Sequence, residues 1–138
     1  MTKHEELAKD LFLEGYNCAQ AVLLAFAEDA GLDRVQAARL ASSFGAGLGG
    51  MRGTCGALSG GAMLLAMFDK RKACQEMIPE LTAWFDETYG MQYGSVNCED
   101  IAPGLRHDRK LCSELIDAVG EKCLALLREY GLYQEETP

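Results

Sequence analysis

The sequence predicts an all-α fold in one compact domain of about five to seven helices, and three observations carry that reading. Apolar residues recur at helical spacing from end to end, no run alternates polar and β-branched residues as a half-buried strand would, and cap residues and breakers divide the chain into helix-sized pieces. At 138 residues the chain can bury one core and is too short for two ordinary domains, so residues 1–138 read as a single domain. With 49% hydrophobic and 25% charged residues it is an ordinary globular composition that needs no disulfide staples.

The elements follow in order. Thr2 with Glu5 forms a capping box for the first helix, Leu7, Ala8, Leu11 and Phe12 make its apolar stripe, and Gly15 stops it. A second helix opens at Asn17, with Gln20 three residues on. It is apolar almost all round through Phe26, which marks a buried central helix, and Gly31 is expected to end it. Asp33 with Gln36 starts a third helix that runs to about Phe44. A glycine-rich loop, Gly45, Gly47, Gly49, Gly50 and Gly53, precedes the fourth helix, which begins after Thr54 and carries Leu58, Met63, Leu64, Met67 and Phe68.

Lys70 to Tyr89 reads as a fifth helix, bent or divided at Pro79, with Cys74, Met77, Ile78, Leu81, Trp84 and Phe85 inward. Gly90 and Gly94 open a loop, Asn97 starts a short helical turn, and Pro103 with Gly104 closes it. The last helix, about His107 to Tyr130, places Leu111, Cys112, Leu115, Ile116, Val119, Cys123 and Leu127 on one face. The acidic tail Gln134 to Pro138 is expected to fray.

Thirteen basic against twenty-one acidic residues give a net charge of −8, which repels phosphate backbones and anionic membrane surfaces. Neither nucleic acid nor a membrane is therefore expected as a partner. The longest uncharged run, Gly15 to Ala27, falls short of the ~20 residues of a membrane-spanning helix, and the N-terminus MTKHEELAKD is charged, with no apolar signal core. A cytoplasmic protein is the expectation, and its mainly apolar helices permit a homodimer. Six cysteines in such a chain point to thiol or metal chemistry more than to a disulfide framework.

Three of those cysteines each follow a residue suited to capping a helix: Asn17-Cys18, Thr54-Cys55 and Asn97-Cys98. At the first helical position a sulfur lies near unpaired backbone N–H groups and the positive end of the helix dipole, which favours the thiolate. A small residue filling a helix junction explains any one placement, but three together suggest a shared site, and Cys55 is expected to have a lowered pKa. Cys74, Cys112 and Cys123 fall on core-facing stripes, where cysteine behaves as a small hydrophobe. Cys112 and Cys123 would stand ~16 Å apart along one helix, so at most one of them joins a compact site.

No spacing is a compact metal signature: the chain has no CxxC, CxxCH, HExxH or ferredoxin-like run. His4 and His107 lie in charged surroundings and read as solvated side chains. Gly45, Gly47 and Gly50 satisfy GxGxxG, yet the preceding AARLASSF reads as helix, so the dinucleotide reading fails on context; a P-loop fails for want of its lysine. Gly56, Gly60 and Gly61 inside a helix each cost about 1 kcal/mol relative to alanine. Gly56 and Gly60 lie one turn apart and leave a bare face for a close-packed backbone or a cofactor.

Cys55-Gly56-Ala57-Leu58-Ser59-Gly60 matches CGAxxG, preceded by Cys18 in GYNCAQAVL and followed by Cys98 and by Cys112 in CSELI. Over nearly its whole length the chain resembles the small four-cysteine family described as redox-active and named for its C, GCAxxG, C, C pattern. The resemblance implies an all-helical domain whose Cys18, Cys55, Cys98 and Cys112 hold an iron–sulfur or similar group. It selects Cys112, which residue patterning alone does not, and leaves Cys74 and Cys123 as extra thiols, either of which could replace Cys112.

The leading expectation is therefore a protein for electron transfer or redox sensing, with four thiolates holding an iron–sulfur cluster, two-iron in preference to four-iron in so small a domain, and with Gly56 and Gly60 clearing space beside it. Such a carrier implies a redox partner protein. The alternatives are metal-free thiol–disulfide chemistry, with Cys55 attacking and Cys18 or Cys98 resolving, and a structural zinc site in a helical interaction module.

Overall fold

The computed structural model describes residues 3–102 and 109–133. It is all-α: the helices are α1 Lys3–Glu14, α2 Cys18–Ala25, α3 Arg34–Ser42, α4 Gly56–Phe68, α5 over residues 70–93, α6 Cys98–Ile101 and α7 Arg109–Glu129. Among the described residues there is no strand, only an isolated antiparallel bridge between Thr54 and Asn97. The expected capping by Thr2, the closure at Pro103 and Gly104, the helix start at His107 and the tail from Gln134 lie outside the described residues, as do the side chains of His4 and Glu5. No described helix is long and apolar enough to cross a membrane.

Helix α2 is central because its sequence offers no polar face after Gln20. Ala21 to Ala27 are all buried, and α2 packs against α1, α3, α4 and α7. Asn17 and Gln20 close a reciprocal capping box: the Asn17 side chain accepts the Gln20 N–H at 2.8 Å and the Gln20 side chain accepts the Asn17 N–H at 2.9 Å. The α-helix stops at Ala25, with Phe26 as its C-cap, and a turn leads to left-handed Gly31, φ 71°. Asp33 caps α3 through the Gln36 N–H at 2.9 Å.

Helix α5 departs from expectation in two ways. It runs through Pro79 without dividing and continues past Gly90 to Tyr93, where left-handed Gly94 ends it. A π-helical turn, Ala73–Met77, immediately precedes the proline region. Widening the ladder there accommodates a ring that would crowd the carbonyl four residues back and supplies no N–H to it. The buried stripe is Ala73, Met77, Leu81 and Phe85, at strict four-residue spacing, so Cys74 is one position out of phase and exposed, not inward. A second π turn, Asp86–Gly90, follows, and there the Asp86 carboxylate occupies the space beside Gly90.

Cys123 on α7 is completely buried, its sulfur beside Gly61 of α4, where an added Cβ would stand 3.0 Å away. Burial pushes its thiol up to about 12 from an ordinary 9.0. The folded state thus requires the neutral thiol. Below pH 9 folded and unfolded chains both keep the proton; between 9 and 12 only the unfolded chain releases it, and the folding equilibrium falls about tenfold per pH unit on this account. Cys123→Ala is expected to cost about 1–2 kcal/mol at neutral pH from the cavity it leaves, to flatten the alkaline loss of stability, and to leave any metal content unchanged. Urea unfolding of both proteins from pH 7 to 11 checks this, and parallel alkaline profiles would show that Cys123 contributes nothing to the slope.

Candidate functional site

The glycine-rich segment is the brace around which the cysteines gather. Ala46, Gly47, Leu48, Gly49 and Gly50 take φ values of 51° to 79° in succession, and Arg52 follows at 64°. This left-handed turn costs each non-glycine member about 1–2 kcal/mol. It is tied internally, Gly50 N–H to the Gly45 carbonyl at 3.1 Å and Gly53 N–H to the Gly47 carbonyl at 2.8 Å. Gly47 has to be glycine: a Cβ would run into the Gly53 backbone. At the loop's start Gly45 clears room for the Asn17 side chain, which donates to the Ser42 carbonyl at 3.2 Å.

From that brace the chain reaches three cysteines. Cys18 is the first residue of α2, as its Asn17 cap predicts. Cys55 is the N-cap of α4 instead of its first residue, because the bridge to Asn97 keeps Thr54 extended and the Cys55 N–H goes to the Val96 carbonyl at 3.0 Å. Cys98 opens α6, but Asn97 makes no side-chain cap. Two loop carbonyls satisfy the helix start instead: Gly53 accepts the Cys98 N–H at 2.7 Å and Arg52 accepts the Glu99 N–H at 3.0 Å.

Cys18, Cys55, Cys98 and Cys112 line a single small cavity of about 30 Å³, completed by Gly56, Ile101, Ala102 and Leu115. That volume holds a water-sized body or two. Among the described residues no charged side chain lines it. The sulfurs come from α2, the α4 cap, α6 and α7, so the cavity sits where four elements meet. Cys74 and Cys123 do not reach it. Gly56 makes room directly for Cys18, whose sulfur would be struck by a Cβ there. Gly60 is covered by backbone: an added Cβ would stand 2.6 Å from the Ala19 carbonyl oxygen, so α2 fills its bare face. As placed, no three His, Cys, Asp or Glu side chains among the described residues are grouped to share one metal ion.

Electrostatics reverse the expectation for Cys55. Its thiol is pushed up to about 12, first by burial and then by the neighbouring Cys18, with Cys112 adding; the Ala57 and Leu58 amides favour the thiolate but do not offset desolvation. Cys98 is also raised, chiefly by burial, with the Arg52 guanidinium pulling it back and Cys18 adding to the rise. Helix-start amides lower a thiol pKa where the sulfur stays wet, and Cys55 is only 8% exposed.

The family described as "Putative redox-active protein (C_GCAxxG_C_C)" matches residues 16–126, a span that holds the four cavity cysteines and both extra ones. The chain belongs to this family. No curated protein and no solved structure matches it. Three of the cysteines in the redox-active pattern are visible in the sequence as helix starts, and the fourth, Cys112, is visible there only through the family pattern because its own helix stripe looks like core. Sequence reasoning missed Arg52, and the signal available for it was weak: a charged residue closing a run of glycines.

Proposed function

We propose that the chain is a redox protein in which Cys18, Cys55, Cys98 and Cys112 hold an iron–sulfur cluster, two-iron in size, for electron transfer or redox sensing. One observation carries this: four thiols from four elements line one cavity that, among the described residues, no charged side chain lines. Burial keeps the Cys55 thiol protonated, and a thiol held near pKa 12 is a poor free nucleophile at neutral pH. A soft metal centre replaces those protons with positive charge and makes the buried thiolates tolerable. Thiol–disulfide exchange would have to work from a protonated Cys55.

The residues divide the work. Cys18, Cys55, Cys98 and Cys112 would hold the cluster, and Ile101, Ala102 and Leu115 would keep water from it. The Ala57 and Leu58 amides favour the charged form of the Cys55 sulfur. When bound, the cluster supplies reversible one-electron transfer at a potential set by burial and nearby amides. A protein that passes single electrons acts with a redox partner.

Anaerobic purification and reconstitution with iron and sulfide test the proposal. Visible charge-transfer absorption with stoichiometric iron and acid-labile sulfide is the expected result. Zinc without colour would replace it with a structural module, and absence of both would leave thiol exchange.

A further inference from the structure

We propose that Arg52 is the clamp and counter-cation of the cysteine centre, a positioning residue that holds the Cys98 helix from both ends and sets fixed positive charge beside its sulfur. The inference builds on reading the cavity as a thiolate-ligated centre. Helix α6 is only Cys98–Ile101, too short to hold its own shape, yet it supplies one cysteine and, with Ala102, two further walls of the cavity. Arg52 reaches both of its ends. The Arg52 carbonyl accepts the Glu99 N–H at 3.0 Å at the start of the helix, and the Arg52 guanidinium donates through Nη2 to the Ala102 carbonyl at its end. The next residue, Gly53, takes the Cys98 N–H. Arg52 itself is half-buried and left-handed at the close of the glycine-rich loop, a costly backbone state for a side-chain-bearing residue.

The charge has its own purpose. Four thiolates would bring four negative charges into a cavity whose described lining residues carry no positive one, and a two-iron core in its oxidised form or a divalent ion would leave that total negative. The Arg52 guanidinium is bonded to the carbonyl of Ala102, which lines the same cavity as Cys98, so its charge stands at the cavity's edge. Arginine suits the position because it stays charged when half-buried and its planar fork fixes direction, whereas lysine carries a point charge on a flexible stem.

The test uses metal-free protein. Iodoacetate and iodoacetamide attack the same thiolate, so the ratio of their alkylation rates at Cys98 cancels thiolate fraction and reports local charge. Arg52→Gln is expected to lower that ratio at least about threefold, with Arg52→Lys keeping it near wild type. Amide exchange over residues 98–102 is expected to speed up at least about tenfold in Arg52→Gln, because the Ala102 carbonyl loses its partner, and to recover only in part in Arg52→Lys. An unchanged ratio or unchanged exchange in a folded Arg52→Gln protein overturns the proposal.

If that variant does not fold, salt dependence of the wild-type ratio decides. Local attraction by Arg52 makes the ratio fall as salt rises, while the net charge of −8 acting alone makes it rise. None of these readouts needs a cluster. A protein that takes up no iron yet shows them keeps Arg52's role and loses the cluster reading; a coloured protein without them does the reverse.

Discussion

Cys55→Ser is expected to reduce iron and sulfide uptake on reconstitution to background while leaving the helical circular-dichroism spectrum unchanged. The two halves of that outcome come from one geometry. Cys55 is the N-cap of α4, with the Ala57 and Leu58 amides favouring negative charge on its sulfur. Serine is among the preferred N-cap residues, and its oxygen accepts such amides better than sulfur does, so α4 keeps its start or gains a little. The hydroxyl nevertheless stays protonated and is a poor ligand for iron in a cavity built of thiols. Metal content by elemental analysis, read beside the circular dichroism, separates the ligand from the cap. Normal iron in a folded Cys55→Ser protein would remove Cys55 from the centre. In metal-free wild type, Cys55 should alkylate slowly at pH 7 and accelerate about tenfold per pH unit toward 12, the reverse of what a helix-start thiol in water does.

Gly60→Ala is expected to destabilise the fold by about 2–3 kcal/mol, although alanine is the better helix former. The new methyl would sit 2.6 Å from the Ala19 carbonyl oxygen and 3.0 Å from Ala19 Cα, both backbone atoms of the central helix with no freedom to retreat. Gly120 in α7 supplies the control. A Cβ there meets nothing within 4 Å, so Gly120→Ala should gain about 0.5–1 kcal/mol from propensity alone. Urea midpoints of the two variants against wild type check the pair. Shifts of the same sign would show that close packing between α2 and α4 does not set the requirement for Gly60.

Short-range chemistry made much of this molecule legible. Asn17 with Gln20 and Asp33 with Gln36 announced two helix starts, Gly15 the end of the first helix, and the apolar run from Ala21 the central helix, which stops at Ala25, well before Gly31. What sequence reading misjudged depends on contacts between distant segments. Nothing near Thr54 foretells its bridge to Asn97, which moves Cys55 from the first helical position to the cap. Asn97 looks like a cap, but carbonyls of Arg52 and Gly53 reach α6 first. Cys74 was misplaced by a single residue of phase, because Ala73 is small enough to pass unnoticed as the inward member of its stripe. Cys55's raised pKa is the plainest case: the local amides are readable from sequence and the depth of burial is not.

The spread of the four cavity cysteines along the chain has a topological consequence. Cys18, Cys55, Cys98 and Cys112 divide the polypeptide between α2 and α7 into three successive loops, and the two longer ones contain every intervening helix through α5. Whatever joins those sulfurs is therefore a multi-point cross-link. It shrinks the denatured ensemble by closing three loops at once, with an entropic benefit that grows only slowly with loop length and hence accrues even to the shortest, from Cys98 to Cys112. The unliganded chain lacks that restraint. On the proposed reading a bound centre would stabilise the entire fold, and resistance to proteases should fall when that centre is removed.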